Sequence, residues 1–126
     1  MKIVMLMLLC HFFADFTLQG LLGKMKTKMW WDDLFKYVKT EDGKPCYDKE
    51  LYKYDWLCAL LCHSLYWSLV TFLPLYSSPI WAEAVLANAA LHALVDHLKA
   101  NAKLINLWHD QTLHVGQIIA TYIVLA

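Results

Sequence analysis

The chain has 126 residues, enough for one domain; it is 60% hydrophobic and carries no net charge at neutral pH. It contains lysine but no arginine, and a neutral chain without a basic surface excludes nucleic acid as a partner. Of the four cysteines, Cys10, Cys58 and Cys62 lie in apolar segments and only Cys46 in a polar one, which is no disulfide framework and suits a reducing compartment or burial in a membrane.

Residues 3–19 form an apolar run interrupted only by His11 and Asp15. No small-x-small cleavage site follows it, so it reads as a retained transmembrane helix rather than a signal peptide. It is somewhat short against the roughly 20 residues that span a bilayer core.

Residues 20–54 differ in kind. They hold eight of the eleven lysines together with Trp30, Trp31, Phe35, Tyr37, Tyr47, Tyr52 and Tyr54. From Met29 to Lys39 the large apolar residues Trp30, Leu34, Tyr37 and Val38 fall on one helical stripe. Lysine mixed with aromatics suggests a helix lying in the membrane interface; a polar loop whose aromatics cover the end of a bundle fits equally well. Glu41-Asp42-Gly43-Lys44-Pro45 is a turn.

Residues 56–74 are the second apolar run, with His63 as its strongly ionisable residue and Pro74 at its end. A short uncharged turn, Tyr76-Ser77-Ser78-Pro79, leads to the third run, 80–98, which carries Glu83 early and His92 and Asp96 late. After a polar link with Lys99 and Lys103, the fourth run, 107–126, carries His109, Asp110 and His114 early and is apolar from Ile118 onward.

A soluble four-helix bundle would show a polar outer face on each helix. Leu57–Leu61, Ser68–Leu75, Ala84–Leu91 and Ile118–Ala126 have almost none. The expected fold is therefore all-α: a four-transmembrane-helix up-down bundle in one domain, with an interfacial segment between helices 1 and 2. The 20–54 insertion and the 99–106 link together hold ten of the eleven lysines and fall on one side. The positive-inside rule makes that side cytoplasmic, in an inner membrane, with both termini outside.

This topology brings the polar residues to common depths. His11, His63, His92 and His114 all fall roughly 10–14 Å below the lysine-rich face, and Asp15, Asp96 and Asp110 roughly 5–8 Å below it. The His–Asp spacing is i to i+4 in His11/Asp15 and His92/Asp96 and runs in reverse order in Asp110/His114, as the opposite direction of the fourth helix requires. Four imidazoles and three carboxylates suit a divalent metal, zinc first, as one or two ions. The same residues would also suit a buried hydrogen-bonded network or a proton or ion pathway. His97 and His109 are turned about 100° from the paired positions and read as surface residues. Cys58 and Cys62 share a face next to His63 and read as packing, while Gln19 and Gln111 are placed to orient a ligand.

The ordered set His11-x-x-x-Asp15-Phe16-x-x-Gln19, His63, His92-x-x-x-Asp96-x-x-Lys99 and Asp110-Gln111-x-x-His114 resembles the DUF3307 group, a family of small membrane proteins of bacteria and their phages. The resemblance covers the chain apart from residues 24–54 and implies a polytopic membrane protein with no established activity. The His/Asp layout is similar, in spacing only, to membrane-bound metal-dependent hydrolases.

The leading expectation is a metal-dependent hydrolase of a phosphoester or lipid head group at the cytoplasmic face, with Asp15 or Asp110 as base. Lys99 and the lysines of residues 24–28 would attract the anionic substrate. The rival is a non-catalytic membrane protein, either an ion or proton conductor or a phage factor that binds a host membrane protein. A homo-oligomer fits either reading.

Overall fold

Apolar runs free of proline become helices here, and Gly20 and Pro74 follow the first two of them. The computed structural model describes residues 2–126 and is all-helical, with one isolated bridge, Lys39 to Pro45, and no strand among the described residues. The first run forms α1 (Lys2–Phe12), which continues into a π-helical turn, Phe13–Leu18. Gly20, at φ +47°, then reverses the chain. Two shorter helices follow, α2 (Leu22–Met25) and α3 (Lys28–Tyr37). The long helices are α4 (Asp55–Phe72), α5 (Trp81–Ala100) and α6 (Leu107–Leu125), with a 3-10 turn at Leu73–Leu75 where Pro74 removes a donor.

Helix starts carry their expected caps in two places. The Thr27 hydroxyl accepts from Trp30 N to open α3, and the Asn106 side chain accepts from His109 N to open α6. The four expected apolar runs thus become the four long helical segments, within a few residues of their expected bounds. They pack in a ring, α1 against α4 and α6, and α5 against α4 and α6.

The insertion covers the bundle end, and part of it is helical, its aromatic stripe lying on α3. Trp31 donates Nε1–H to Met25 O at 2.8 Å and stacks on Tyr52. Lys28 Nζ lies 4.4 Å from the centre of the Trp56 ring. Asn101, just past α5, accepts from Lys28 N at 2.8 Å and donates to Lys26 O at 3.1 Å, which ties the insertion to the link between α5 and α6.

The interior has two halves. Met7, Trp67, Phe72, Leu75, Val85 and Ile118 form an apolar cluster toward the 74–79 turn. Toward the insertion the buried side chains are polar: His11, Asp15, Lys26, His63, His92, Asp96, Asp110 and His114. Outward faces are the reverse. Leu57, Leu61, Leu65 and Leu69 repeat every fourth residue along the exposed side of α4, and Leu73 continues the row into the 3-10 turn. Among the described residues only one helix, Asp55–Leu75, is long and apolar enough to cross a membrane by length and composition. The expected four-span inner-membrane layout is narrowed accordingly. α1 keeps α-geometry for only 11 residues before the π turn, and α5 and α6 carry polar site residues within their apolar runs.

Candidate metal centre

Each of the four long helical segments places one histidine in the polar half of the interior: His11 on α1, His63 on α4, His92 on α5 and His114 on α6. Asp15 comes from the π turn, Asp96 from α5 and Asp110 from α6. All seven side chains are buried, Asp15 the most exposed at 6%. They sit on helices otherwise made of Leu, Ala, Val and Phe, because the polar residues take the stripe that faces the ring's centre.

His63 Nε2 and His92 Nε2 are 3.3 Å apart, and Asp15 Oδ1 lies 3.5 Å from the first and 3.8 Å from the second. Asp96 Oδ2 caps the same two nitrogens at 3.4 and 3.5 Å. A tetrahedral zinc with bonds of about 2.0–2.1 Å separates its ligand atoms by roughly 3.3–3.4 Å. The observed edges are close to that value and longer than ordinary N–H···O hydrogen bonds. Asp15, His63 and His92 form one group whose ligand atoms converge; His92, Asp96 and His114 form another.

The convergence leaves atoms without hydrogen-bond partners. Asp15 Oδ1, Asp110 Oδ1 and His114 Nε2 are buried and unpaired, as are Nδ1 of His63, His92 and His114. An unpaired buried polar atom costs about 1–3 kcal/mol, so a self-sufficient network would not retain so many. The rings are held by stacking instead. His92 packs against both Trp67 (centroids 4.0 Å apart, 21° between planes) and His114 (4.1 Å, 25°), and those two rings touch each other with centroids 5.3 Å apart.

His11 stands apart from this set. Trp67 Nε1–H donates to its Nδ1 at 2.9 Å, and indole can only donate, so Nε2 carries the imidazole proton. His11 Nε2–H donates to Gln111 Oε1 at 3.1 Å. The Gln111 amide nitrogen then donates to Asp110 Oδ2 at 2.9 Å and reaches toward Asp15 Oδ2 at 3.5 Å. Both His11 nitrogens are therefore taken, and the expected ligand His11 holds Gln111, which holds two carboxylates. His63 occupies the position beside His92.

Two lysines enter the cluster. Lys26 Nζ is 2.5 Å from Asp96 Oδ2 and is itself buried. Lys99 Nζ is 2.6 Å from Asp110 Oδ2 and 3.8 Å from Asp96 Oδ1, and its side chain is 27% exposed. The sequence shows Lys26 only as one of several lysines at positions 24–28, because its place depends on the chain reversal at Gly20. Trp67 is marked in the sequence by its spacing: it lies four residues after His63, on the same face. Gln19 donates to the Asp15 backbone carbonyl and does not reach the cluster. Cys58 and Cys62 are exposed, His109 is exposed, and His97 stacks on Trp56, so none of the four contributes to the site.

Comparison with protein-family models, curated proteins and solved structures finds no match to this chain.

Proposed function

We propose that this chain is a four-span membrane protein that binds a divalent metal, zinc first, between Asp15, His63, His92 and Asp96, and acts as a metal-dependent hydrolase on a phosphoester or lipid head group. The observation that carries the metal reading is the convergence of Asp15 Oδ1, which has no hydrogen-bond partner, with Nε2 of His63 and His92 and with Asp96 Oδ2, at separations close to those of a tetrahedral zinc site. The membrane reading is supported by the inverted distribution of polarity, with leucines outside and ionisable side chains inside. The lysine-rich end would face the cytoplasm, with both termini outside. The motif order that resembles the DUF3307 group agrees with this reading.

A bound ion would supply Lewis acidity and a water of lowered pKa. The chain's own groups take the remaining roles. Asp15 Oδ1 would be committed to that ion, so Asp110 Oδ1, buried and without a hydrogen-bond partner, would serve as base when this ion alone is bound. Lys99, partly exposed and next to two of the carboxylates, would hold the substrate anion. Trp67, His11 and Gln111 keep the imidazoles and carboxylates aligned.

A second reading is favoured by one contact. The short Lys26–Asp96 pair supplies a cation of its own, as a closed, non-catalytic network would require. Metal analysis of the detergent-purified protein separates the two. The metal reading expects at least one equivalent of zinc, lost in His92→Ala and retained in His97→Ala, whose ring faces Trp56. A parent protein free of stoichiometric metal would favour the network and remove the basis for calling this protein an enzyme.

A further inference from the structure

We propose that the cluster holds a second divalent cation beside the first, bound by Asp96 Oδ1, His114 Nε2 and Asp110 Oδ1, with the Asp96 carboxylate bridging the two ions. This rests on the metal reading above and extends it from one ion to a binuclear centre.

Asp96 divides its two oxygens between different partners. Oδ2 faces His63 and His92 and accepts from Lys26 Nζ, while Oδ1 faces His114 at 3.6 Å and Lys99 at 3.8 Å. His114 Nε2 in turn lies 3.5 Å from Asp110 Oδ1. Both separations match the edge expected of a tetrahedral ion, roughly 3.3–3.4 Å. His114 Nε2 and Asp110 Oδ1 are fully buried and have no hydrogen-bond partner. Neither is explained by the first ion, which lies on the other oxygen of Asp96. Lys99 and Gln111 both bind Asp110 through Oδ2, which leaves Oδ1 directed at His114. A carboxylate that bridges through its two oxygens sets metal ions about 3.5–4 Å apart, the spacing of two-metal hydrolytic centres.

Charge adds a requirement. Two dications with Lys26 and Lys99 outweigh the three carboxylates, so the second ion would enter together with an anion. Lys99 is the partly exposed group at this side of the cluster and is placed to meet it. The pair of ions would then clamp a phosphate between them, which names the substrate class as a phosphoester.

The test is titration of the full-length, detergent-purified, chelator-stripped protein with Co2+ in the presence of inorganic phosphate, followed by EPR. Two equivalents are expected, with loss of the isolated-ion signal through coupling between neighbouring ions. His114→Gln and Asp110→Asn should each bind one equivalent and show the isolated-ion spectrum. One equivalent with an isolated-ion spectrum in the parent would overturn the second ion and leave the first. No bound metal at all would overturn both readings. Retention of two equivalents in either variant would also overturn the assignment, and if a variant fails to fold, the parent's stoichiometry and spectrum decide alone.

Discussion

Lys26 and Asp96 form the shortest ion pair in the polar interior, and both are almost wholly buried. A lysine there competes with any cation for Asp96 Oδ2. Replacing it with an apolar side chain of similar length leaves Asp96 uncompensated in the metal-free protein, at a cost of about 3 kcal/mol for a broken buried pair. Lys26→Met should therefore lower the melting temperature in chelator, yet bind zinc about tenfold more tightly, since 1.4 kcal/mol of lost competition corresponds to tenfold in affinity. Thermal melts with and without chelator, combined with zinc competition titrations, check both halves. Weaker zinc binding would show that Lys26 orients Asp96 rather than competing for it. Trp67 acts through a different contact. Its indole proton fixes the tautomer of His11 and its face carries His92. Trp67→Phe keeps much of the stack but removes the donor, so the His11–Gln111–Asp110 chain loses its direction. A loss of stability of about 1 kcal/mol, with weaker zinc binding, is expected from chemical denaturation and titration.

At the scale of the element, the π turn Phe13–Leu18 is the least regular part of the helical ring and the part that presents Asp15. Such turns insert one residue into a helix and often mark functional sites. Phe13 itself is 54% exposed and contributes no polar contact. Inserting an alanine beside it adds a residue that the turn has not absorbed and should turn Lys2–Phe12 by about 100° relative to Asp15, which carries His11 away from Trp67. Loss of bound metal and a lower melting temperature are expected from the insertion. Phe13→Ala, which keeps the register, should change stability by no more than about 0.5 kcal/mol. Equal behaviour of the two variants would show that the register of this turn does not matter. On the other side of the ring, α5 and α6 are joined through Asn88, which donates to Thr121 Oγ1 at 2.9 Å, while Gln117 donates to the Asn88 carbonyl at 2.7 Å. These bonds pin the two helices that supply Asp96 and Asp110.

For the whole molecule, the separation of polar interior from apolar exterior has a directional consequence. The lysine-rich insertion and the link between α5 and α6 meet at one end, where Asn101 bonds residues 26 and 28. The uncharged turn at 76–79 belongs to the other end. If the four segments span a membrane with lysines inside, a cysteine placed at Ser77 should react with a membrane-impermeant thiol reagent in intact cells. Native Cys46, exposed on the insertion, should react only after the membrane is broken. Labelling of Cys46 from outside would reverse the orientation and move the metal cluster to the opposite face.

The helical class, the four long segments and the inward stripe that carries the histidines and carboxylates were legible in the sequence. Apolar runs ended by Gly20 and Pro74 delimit helices, and i to i+4 spacing places His92 over Asp96 and Asp110 over His114 whatever packs around them. Only the tertiary structure decided which imidazole nitrogens face one another. That choice put His63 beside His92, and it gave His11 to Trp67 and Gln111. It also buried Lys26 against Asp96, a contact between residues 70 positions apart. The physical reason is the difference between local and non-local geometry. Helical periodicity sets which face a residue occupies, but rotation of each helix about its axis, and so the direction of each ring nitrogen, is set by packing against its two neighbours in the ring and by a chain reversal that periodicity does not encode.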